Sequence, residues 1–304
     1  MTLEWRDVLR DAHLVSRVTF DTPLRQATTL RIGGAADCLV ELEQEEDLES
    51  LSTLASAHGV ALNILGRGSN LLVRDEGVRG IVVRLGNAFQ HVQCNPALTT
   101  ALGGAALANA TFVERCRAVG LGGMEFLVAI PGTLGGAIAM NAGAHQDETA
   151  RHLLSVRYFD RAQGRVMESK ASEFTFSYRH SPLRGQAGRV VLSGVFALEA
   201  LTDQEIQSRK EAIQRYRRET QPRDFPNCGS VFKNPPGAFA AQLIQEAGLK
   251  GHRLGDAQVS EKHANFIVNR GQATSAQVLS LIDLIRETVY ERTGISLELE
   301  VQIL

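Results

Sequence analysis

The sequence predicts an α+β protein of two or three domains, and three observations carry that prediction. A chain of 304 residues, 44% hydrophobic and 22% charged, is long enough to bury more than one core. Helix-period and strand-period segments alternate at both ends of the chain. Between them, from about Gly86 to Leu198, lies a glycine-rich, strand-like region with one helical pattern at Leu107 to Ala118.

In order, Arg10 to Thr29 alternates charged and apolar residues and reaches Arg31 to Gly34 before the strand-like run Cys38 to Glu43. Glu43 to His58 then carries Leu48, Leu51 and Leu54 or Ala55 at helical spacing, with acids in its first turn and Gly59 as a stop. Ala61 to Leu65 reads as a buried strand, and Gly80 to Leu85 as another. Thr202 and Glu205 form a capping box for a helix running toward Arg218, with Ile206, Ile213 and Tyr216 on its apolar side. Phe239, Leu243, Ile244 and Ala247 line a further helix stopped by Gly248, and Ser260 to Asn269 reads as a strand. Val278, Leu281, Ile285 and Val289 line the last helix, between a Thr274–Gln277 capping box and Gly294. The terminal residues Ile295 to Ile303 alternate strictly, so one face is apolar and Glu298 and Glu300 share the other. From spacing alone, that polar face is a solvated one.

Composition excludes several classes. A net charge of -2 gives no basic excess for nucleic acid or an anionic membrane. Cys38, Cys94, Cys116 and Cys228 are scattered without a CxxC pair, which suits free thiols in a reducing compartment and neither a disulfide frame nor a metal site. The charged start, Met1 to His13, lacks an apolar secretion segment, and no run approaches membrane-spanning length, so the expected place is the cytoplasm.

Four stretches carry candidate chemistry. Gly122 to Ala144 holds Gly122, Gly123, Pro131, Gly132, Thr133, Gly135, Gly136, Asn141 and Gly143. That density of backbone punctuation reads as a ligand cradle rather than an ordinary helix or strand, the alternative being a tight internal turn where elements pack. Gly66, Arg67, Gly68, Ser69 and Asn70 follow a strand, but Leu71 replaces the third glycine of a dinucleotide fingerprint and no helix pattern follows. A turn whose N–H groups and Ser69 hydroxyl hold a pyrophosphate fits better; a plain turn is the alternative. Arg179, in the aromatic strand-like segment Phe174 to Arg184, needs an anionic partner, either a ligand or Glu173. Ser230, after Gly229 and three residues before Lys233, taken alone is a hydroxyl capping a turn.

Read together, RIGG, ILGRGSNLLV, EFLVAIPGTLGGAIAMNAGA, SYRHS, NCGSVFKNP, AGLKG, KHANFIVN and LELEV occur in an order that resembles the UDP-N-acetylenolpyruvoylglucosamine reductase family, over nearly the whole chain. The resemblance implies a two-part FAD-binding region of the vanillyl-alcohol-oxidase-like type, residues 1–86 and 87–200, followed by an α+β substrate-binding domain, residues 201–304. It implies FAD along Gly66 to Leu71 and the central stretch, held without a covalent bond since no histidine or cysteine attachment context exists. NADPH is the implied hydride donor and UDP-N-acetylglucosamine enolpyruvate the substrate, reduced to UDP-N-acetylmuramate for peptidoglycan.

Roles carry over residue by residue. Arg179 matches the arginine that binds the enolpyruvyl carboxylate, Ser230 the proton donor and Glu300 the family glutamate. Arg217 falls where similar proteins of the shorter type place a substrate-phosphate arginine, and Lys233, Lys262 and His263 are further substrate-side candidates. The short connection from Arg179 to Thr202 leaves no room for the extra subdomain of the longer type, which assigns the shorter, type II form. Leu299, Gln302 and His145 depart from residues the family more often shows. The competing reading is a carbon-oxidising flavoprotein oxidase on the same fold, and the Arg179, Ser230 and Glu300 set favours the reductase.

Overall fold

The computed structural model describes residues 4–12, 14–184 and 188–304; Met1 to Leu3 and His13, at the charged start, lie outside the described residues. The chain forms two compact units: Met1–Phe20 with Cys38–Gly66 and Arg79–Arg215, and Asp21–Asp37 with Arg67–Val78 and Tyr216–Leu304.

Besides two short strand pairs, the first unit has two larger sheets. One runs Arg17–Pro23, Ala35–Leu42, Val78–Leu85, Leu62–Ile64 in spatial order, with Leu62 to Ile64 parallel to Ile81 to Val83. Helix Glu45–Ala57 places Leu48, Leu51 and Ala55 in the core with Trp5, Leu9, Val40, Leu42 and Ile81, and Gly59 ends it at φ +61°.

The second sheet is antiparallel, in the order Arg165–Lys170, Leu153–Asp160, Arg189–Ala197, Thr100–Gly104, Val92–Asn95. Gly103 and Gly194 face each other across its centre. A side chain on Gly103 would strike Leu134 and Phe112, and one on Gly194 would come within 2.8 Å of Ile138. The missing side chains therefore leave the seat on which helix Leu134–Met140 packs. Helix Asn109–Arg117 adds Phe112, edge-on to Phe196 with ring centroids 5.2 Å apart.

The second unit buries Leu30, Ile32 and Leu72 in one core with residues from Cys228 to Val301. Helices Ala240–Glu246 and Ser275–Thr293 pack with a small antiparallel sheet of Arg253–Leu254, Ala257–Val259 and Ile267–Asn269. The Thr274–Gln277 capping box forms, and Asp75 adds a second cap by accepting the Ser275 and Ala276 N–H groups at 2.9 and 3.2 Å.

Several expected elements differ. The glycine-rich stretch does contain a helix, Leu134–Met140, since its two glycines sit in the first turn and Asn141 ends it with left-handed backbone. Phe174 to Arg184 forms no strand: Ser177 and His180 bridge across a tight turn that the left-handed Arg179 closes. Of Ser260 to Asn269, only Ile267–Asn269 pairs as a strand, because the Ser260 hydroxyl draws the Lys262 and His263 N–H groups into a turn. The terminal alternation is real, with Leu297 and Val301 buried, but only Gln302–Ile303 forms a ladder, parallel to Leu71–Leu72. Tyr216 and Phe239 are 55% and 66% exposed. On the Tyr216 helix, buried Ile206 is joined by the buried Lys210, whose ammonium ion-pairs with Glu114.

Candidate active site

In the second unit, Ser230 and Glu300 are brought together by a short antiparallel pairing. Phe232 bridges Leu299, the Lys233 N–H donates to the Glu298 carbonyl at 2.8 Å, and the Val231 carbonyl accepts the Glu300 N–H at 2.9 Å. Ser230 thus precedes a residue whose carbonyl holds the backbone of Glu300, though 69 positions separate the two in sequence (300 − 231).

Asparagine amides, those of Asn265 and Asn269 buried and that of Asn227 half-buried, brace this strand pair. Asn265 accepts the Phe232 N–H at 2.9 Å and donates to the Phe232 carbonyl at 2.8 Å, a complete amide-to-backbone pair. Asn227 donates to the Pro222 and Phe225 carbonyls and accepts the Gly229 N–H at 3.1 Å, shaping the turn before Ser230, where Gly229 takes φ +79°. Asn269 donates to the Leu30 carbonyl at 3.1 Å, and Thr29 donates its hydroxyl to the Asn227 carbonyl at 2.7 Å. None of these was singled out from sequence, although Asn227, Asn265 and Asn269 all lie inside the quoted motifs NCGSVFKNP and KHANFIVN. An amide in an apolar context was the available signal.

Other candidates in this unit have distinct surroundings. Lys233 pairs with Glu298 at 3.2 Å, so the exposed carboxylate of the terminal segment neutralises it. Burial, and then the charge of Arg223, push the pKa of Arg217 down, the opposite of what a bound carboxylate does, while its Nε donates to Gln221 at 3.2 Å. Lys262 donates to the Arg218 carbonyl. Burial lowers the pKa of His263, and its Nδ1 accepts the Asn265 N–H at 3.3 Å, which fixes the neutral ring.

The turn from Arg67 to Asn70 lies in the same unit and leads into strand Leu71–Leu72, not a helix. Gly68, at φ +60°, is buried against Ala27 and Thr28, and its carbonyl accepts the Thr29 N–H at 3.1 Å. Arg67 is exposed, Ser69 is half-buried and Leu71 pairs with Gln302. Asn70 donates to the Glu300 carbonyl at 3.1 Å and accepts the Gln302 N–H at 3.0 Å, tying this turn to the Glu300 segment.

The first unit holds Gly66, the central stretch and Arg179. A Cβ on Gly135 would meet Ala105 Cβ at 2.7 Å, and one on Gly143 would strike the Asp147 carbonyl, so these glycines serve close packing. Gly136 differs: a Cβ there would find only Thr133 Oγ1, at 3.5 Å. Thr133 caps the helix by accepting the Gly136 N–H at 3.3 Å, and its hydroxyl would also be the nearest neighbour, at 3.3 Å, of a Cβ on Gly66. Pro131 and Gly132 form the preceding turn, where the Gly132 carbonyl accepts the Asn109 N–H at 3.2 Å. Asn109 donates to the Ile130 carbonyl at 2.9 Å, yet its buried Oδ1 has no partner among the described residues. Arg179 Nη2 donates to the Gly143 carbonyl at 2.6 Å, and its guanidinium lies 4.9 Å from the Tyr178 ring centroid. Glu173, its alternative partner, accepts the Lys170 N–H.

With that geometry in place, comparison with known proteins decides the family. Residues 36–170 match an FAD binding domain, and residues 221–304 match the UDP-N-acetylenolpyruvoylglucosamine reductase C-terminal domain. UDP-N-acetylenolpyruvoylglucosamine reductase 2 of Symbiobacterium thermophilum is 44% identical over 298 residues, 98% of this chain and 94% of its own. This chain belongs to the UDP-N-acetylenolpyruvoylglucosamine reductase family. The reductase of Heliobacterium modesticaldum is also 44% identical, over 93% of this chain and 89% of its own. The crystal structure of the Thermus caldophilus reductase superposes with a TM-score of 0.80 at 36% identity, covering 95% of this chain and 98% of that one. The family's two parts, an FAD-binding domain and a reductase C-terminal domain, account for the expected α+β class. Among the described residues, no helix is long and apolar enough to cross a membrane.

Proposed function

We propose that this chain reduces the enolpyruvyl group of UDP-N-acetylglucosamine enolpyruvate to give UDP-N-acetylmuramate for peptidoglycan, in the cytoplasm, with NADPH as hydride donor. The observation that carries this reading is the pairing of Val231 to Lys233 with Glu298 to Glu300, which joins the segment after Ser230 to the backbone of Glu300 in a member of this family.

The residues of the first unit fit an FAD. Gly136 is open where its neighbours Gly135 and Gly143 are closed, and Asn109 Oδ1 is a buried acceptor without a donor among the described residues. Gly66, Pro131, Gly132, Thr133 and Gly136 are the residues of this unit that we assign to hold it, without a covalent bond. A flavin held there would supply the hydride chemistry that links NADPH to the terminal carbon of the enolpyruvyl group.

Every remaining role falls to side chains. Hydride addition leaves negative charge on the carbon next to the carboxylate. Arg179 binds that carboxylate and draws the charge onto it, a fixed guanidinium being worth more in a water-poor site than in solution. Glu300, protonated or acting through a bound water, supports the same enediolate-like state. Ser230 delivers the proton that completes the product. A hydroxyl is a weak acid, but the carbon it serves is strongly basic, so the transfer is downhill once positioned. Arg217, half-buried with its Nε donating to Gln221, is the residue that the family resemblance assigns to a substrate phosphate. Lys233, Lys262 and His263 border the nucleotide sugar, with Lys233 already balanced by Glu298. The division into FAD-binding segments 1–86 and 87–200 and a substrate domain 201–304 belongs to the same proposal.

The test separates two half-reactions. Under nitrogen, NADPH should bleach the flavin of Ser230→Ala at nearly the normal rate, because no substrate carbon is protonated in that step. Reoxidation by the enolpyruvyl substrate should slow roughly 10²- to 10⁴-fold, the span for losing a positioned acid. In the unsubstituted protein, solvent deuterium should mark the α carbon of the product. Equal slowing of both steps would remove Ser230 as the donor, and failure of the enolpyruvyl nucleotide to reoxidise the unsubstituted protein would remove the proposed substrate.

A further inference from the structure

Arg179 stands in a backbone conformation that its side chain disfavours. Its φ is +55°, while Tyr178 before it is not in the positive-φ region, the pattern of a four-residue turn that ordinarily takes glycine or asparagine at this place. A non-glycine residue held there is strained and persists only where its surroundings over-determine it. The turn closes through His180 N–H to the Ser177 carbonyl at 2.9 Å and Ser177 N–H to the His180 carbonyl at 3.2 Å.

Asn141 supplies the rest. It is fully buried, and its own left-handed backbone, φ 42° and ψ 55°, is one that asparagine tolerates. Its Nδ2 donates to the Ser177 carbonyl at 2.9 Å, and its Oδ1 accepts the Ala150 N–H at 2.9 Å. The partners have opposite polarity, so the amide has only one orientation that serves both. Two residues on, the Gly143 carbonyl receives Arg179 Nη2 at 2.6 Å. The helix end that places Asn141 therefore grips the Arg179 turn twice, once through its backbone at Ser177 and once through the guanidinium.

We propose that Asn141 is a positioning residue for Arg179: its amide sets the turn so that the guanidinium is already fixed when a substrate carboxylate arrives. This rests on the reading of Arg179 as the carboxylate-binding arginine. The side chain of Asn141 contacts backbone on both sides, so it acts through Arg179 and not on cofactor or substrate.

Calorimetric titration of the oxidised holoenzyme with two ligands tests this. One is the enolpyruvyl nucleotide, the other UDP-N-acetylglucosamine, which lacks the carboxylate. Asn141→Asp keeps the acceptor for Ala150 and turns the donor facing Ser177 into an acceptor. It should weaken the carboxylate ligand about tenfold or more and leave the carboxylate-free ligand within about twofold. In an Arg179→Lys background the same substitution should add less than about twofold, since the group it positions is gone. Equal weakening of both ligands, or full additivity with Arg179→Lys, would overturn the positioning role and make Asn141 a general structural residue. If Arg179→Lys alone left the carboxylate ligand unaffected, the carboxylate reading itself would fall and take this one with it. Should the aspartate variant not retain FAD, Asn141→Gly, which keeps the left-handed cap and removes both side-chain bonds, reads the same comparison.

Discussion

Asn265→Ala isolates the clamp that joins the Ser230 segment to the rest of its unit. The amide satisfies the N–H and the carbonyl of Phe232, a residue only 1% exposed, at 2.9 and 2.8 Å. Removing it orphans two buried backbone groups at about 1–3 kcal/mol each. The space vacated by an amide admits about one water, which re-pairs one of the two, so the net loss should be about 2 kcal/mol. Urea denaturation followed by circular dichroism reads this as a fall in midpoint of the transition reporting the second unit, with unchanged slope.

A companion variant fixes the cause. Asn265→Asp still accepts the Phe232 N–H but turns a carboxylate oxygen toward the Phe232 carbonyl, which favours the protonated acid and raises its folded pKa above the unfolded value. Stability relative to the parent protein should therefore be closest to normal below about pH 4, the unfolded range, and decline as pH rises through the folded pKa. A loss under about 1 kcal/mol for the alanine variant, or a pH-independent deficit for the aspartate variant, would refute the claim that paired backbone satisfaction is what Asn265 contributes.

Three further outcomes are expected. Glu300→Gln should slow flavin reoxidation by the enolpyruvyl substrate, whereas Glu298→Gln, whose partner is Lys233, should turn over close to normally; the reverse ranking in stopped-flow traces would move the working carboxylate to Glu298. Glu114→Gln should cost about 1 kcal/mol, a figure held down by the solvent-exposed side of the pair, because Lys210 is left buried without its carboxylate. The Lys210 hydrogen bond is the first cause of Glu114's lowered pKa, so this stability is present above the ordinary carboxylate range and lost as pH falls through the lowered folded value; melts at pH 7 and pH 3 should differ less in the variant than in the parent. Gly135→Val should destabilise the first unit by striking Ala105, whereas Gly136→Val, with open space, should leave melting of the apoprotein nearly unchanged and lower FAD content; the opposite pattern in absorbance and calorimetry would show that Gly136 does not face the flavin.

Much of this protein follows from its sequence because local rules agree with the fold. Leu48, Leu51 and Ala55 share one helical face in the sequence and one core in the structure, the Thr202–Glu205 box caps its helix, and Leu297 and Val301 turn inward as strict alternation requires. The ordered motifs also specified the family, since many short patterns in sequence constrain far more than any single glycine cluster. Periodicity failed where the decisive contact was distant. Tyr216 lies on the expected apolar stripe yet is exposed, and Lys210 is buried because Glu114 meets it from another helix, a pairing that helical spacing does not encode. Glycine density marked the central stretch but not its structure: the seat for Leu134 and Ile138 exists only because Gly103 and Gly194 are opposed across two strands.

Only the tertiary structure decided that Asn70 holds the Glu300 backbone and Asp75 caps the last helix, contacts closed over 230 and 200 positions of chain. It also decided that Asn265 completes the strand carrying Ser230 and that Asn141 sets the turn carrying Arg179. In each case the partner is a backbone N–H or carbonyl, which every residue carries and no side-chain pattern advertises. Residue identity therefore named the candidate groups, while backbone partners far apart in sequence fixed where those groups stand.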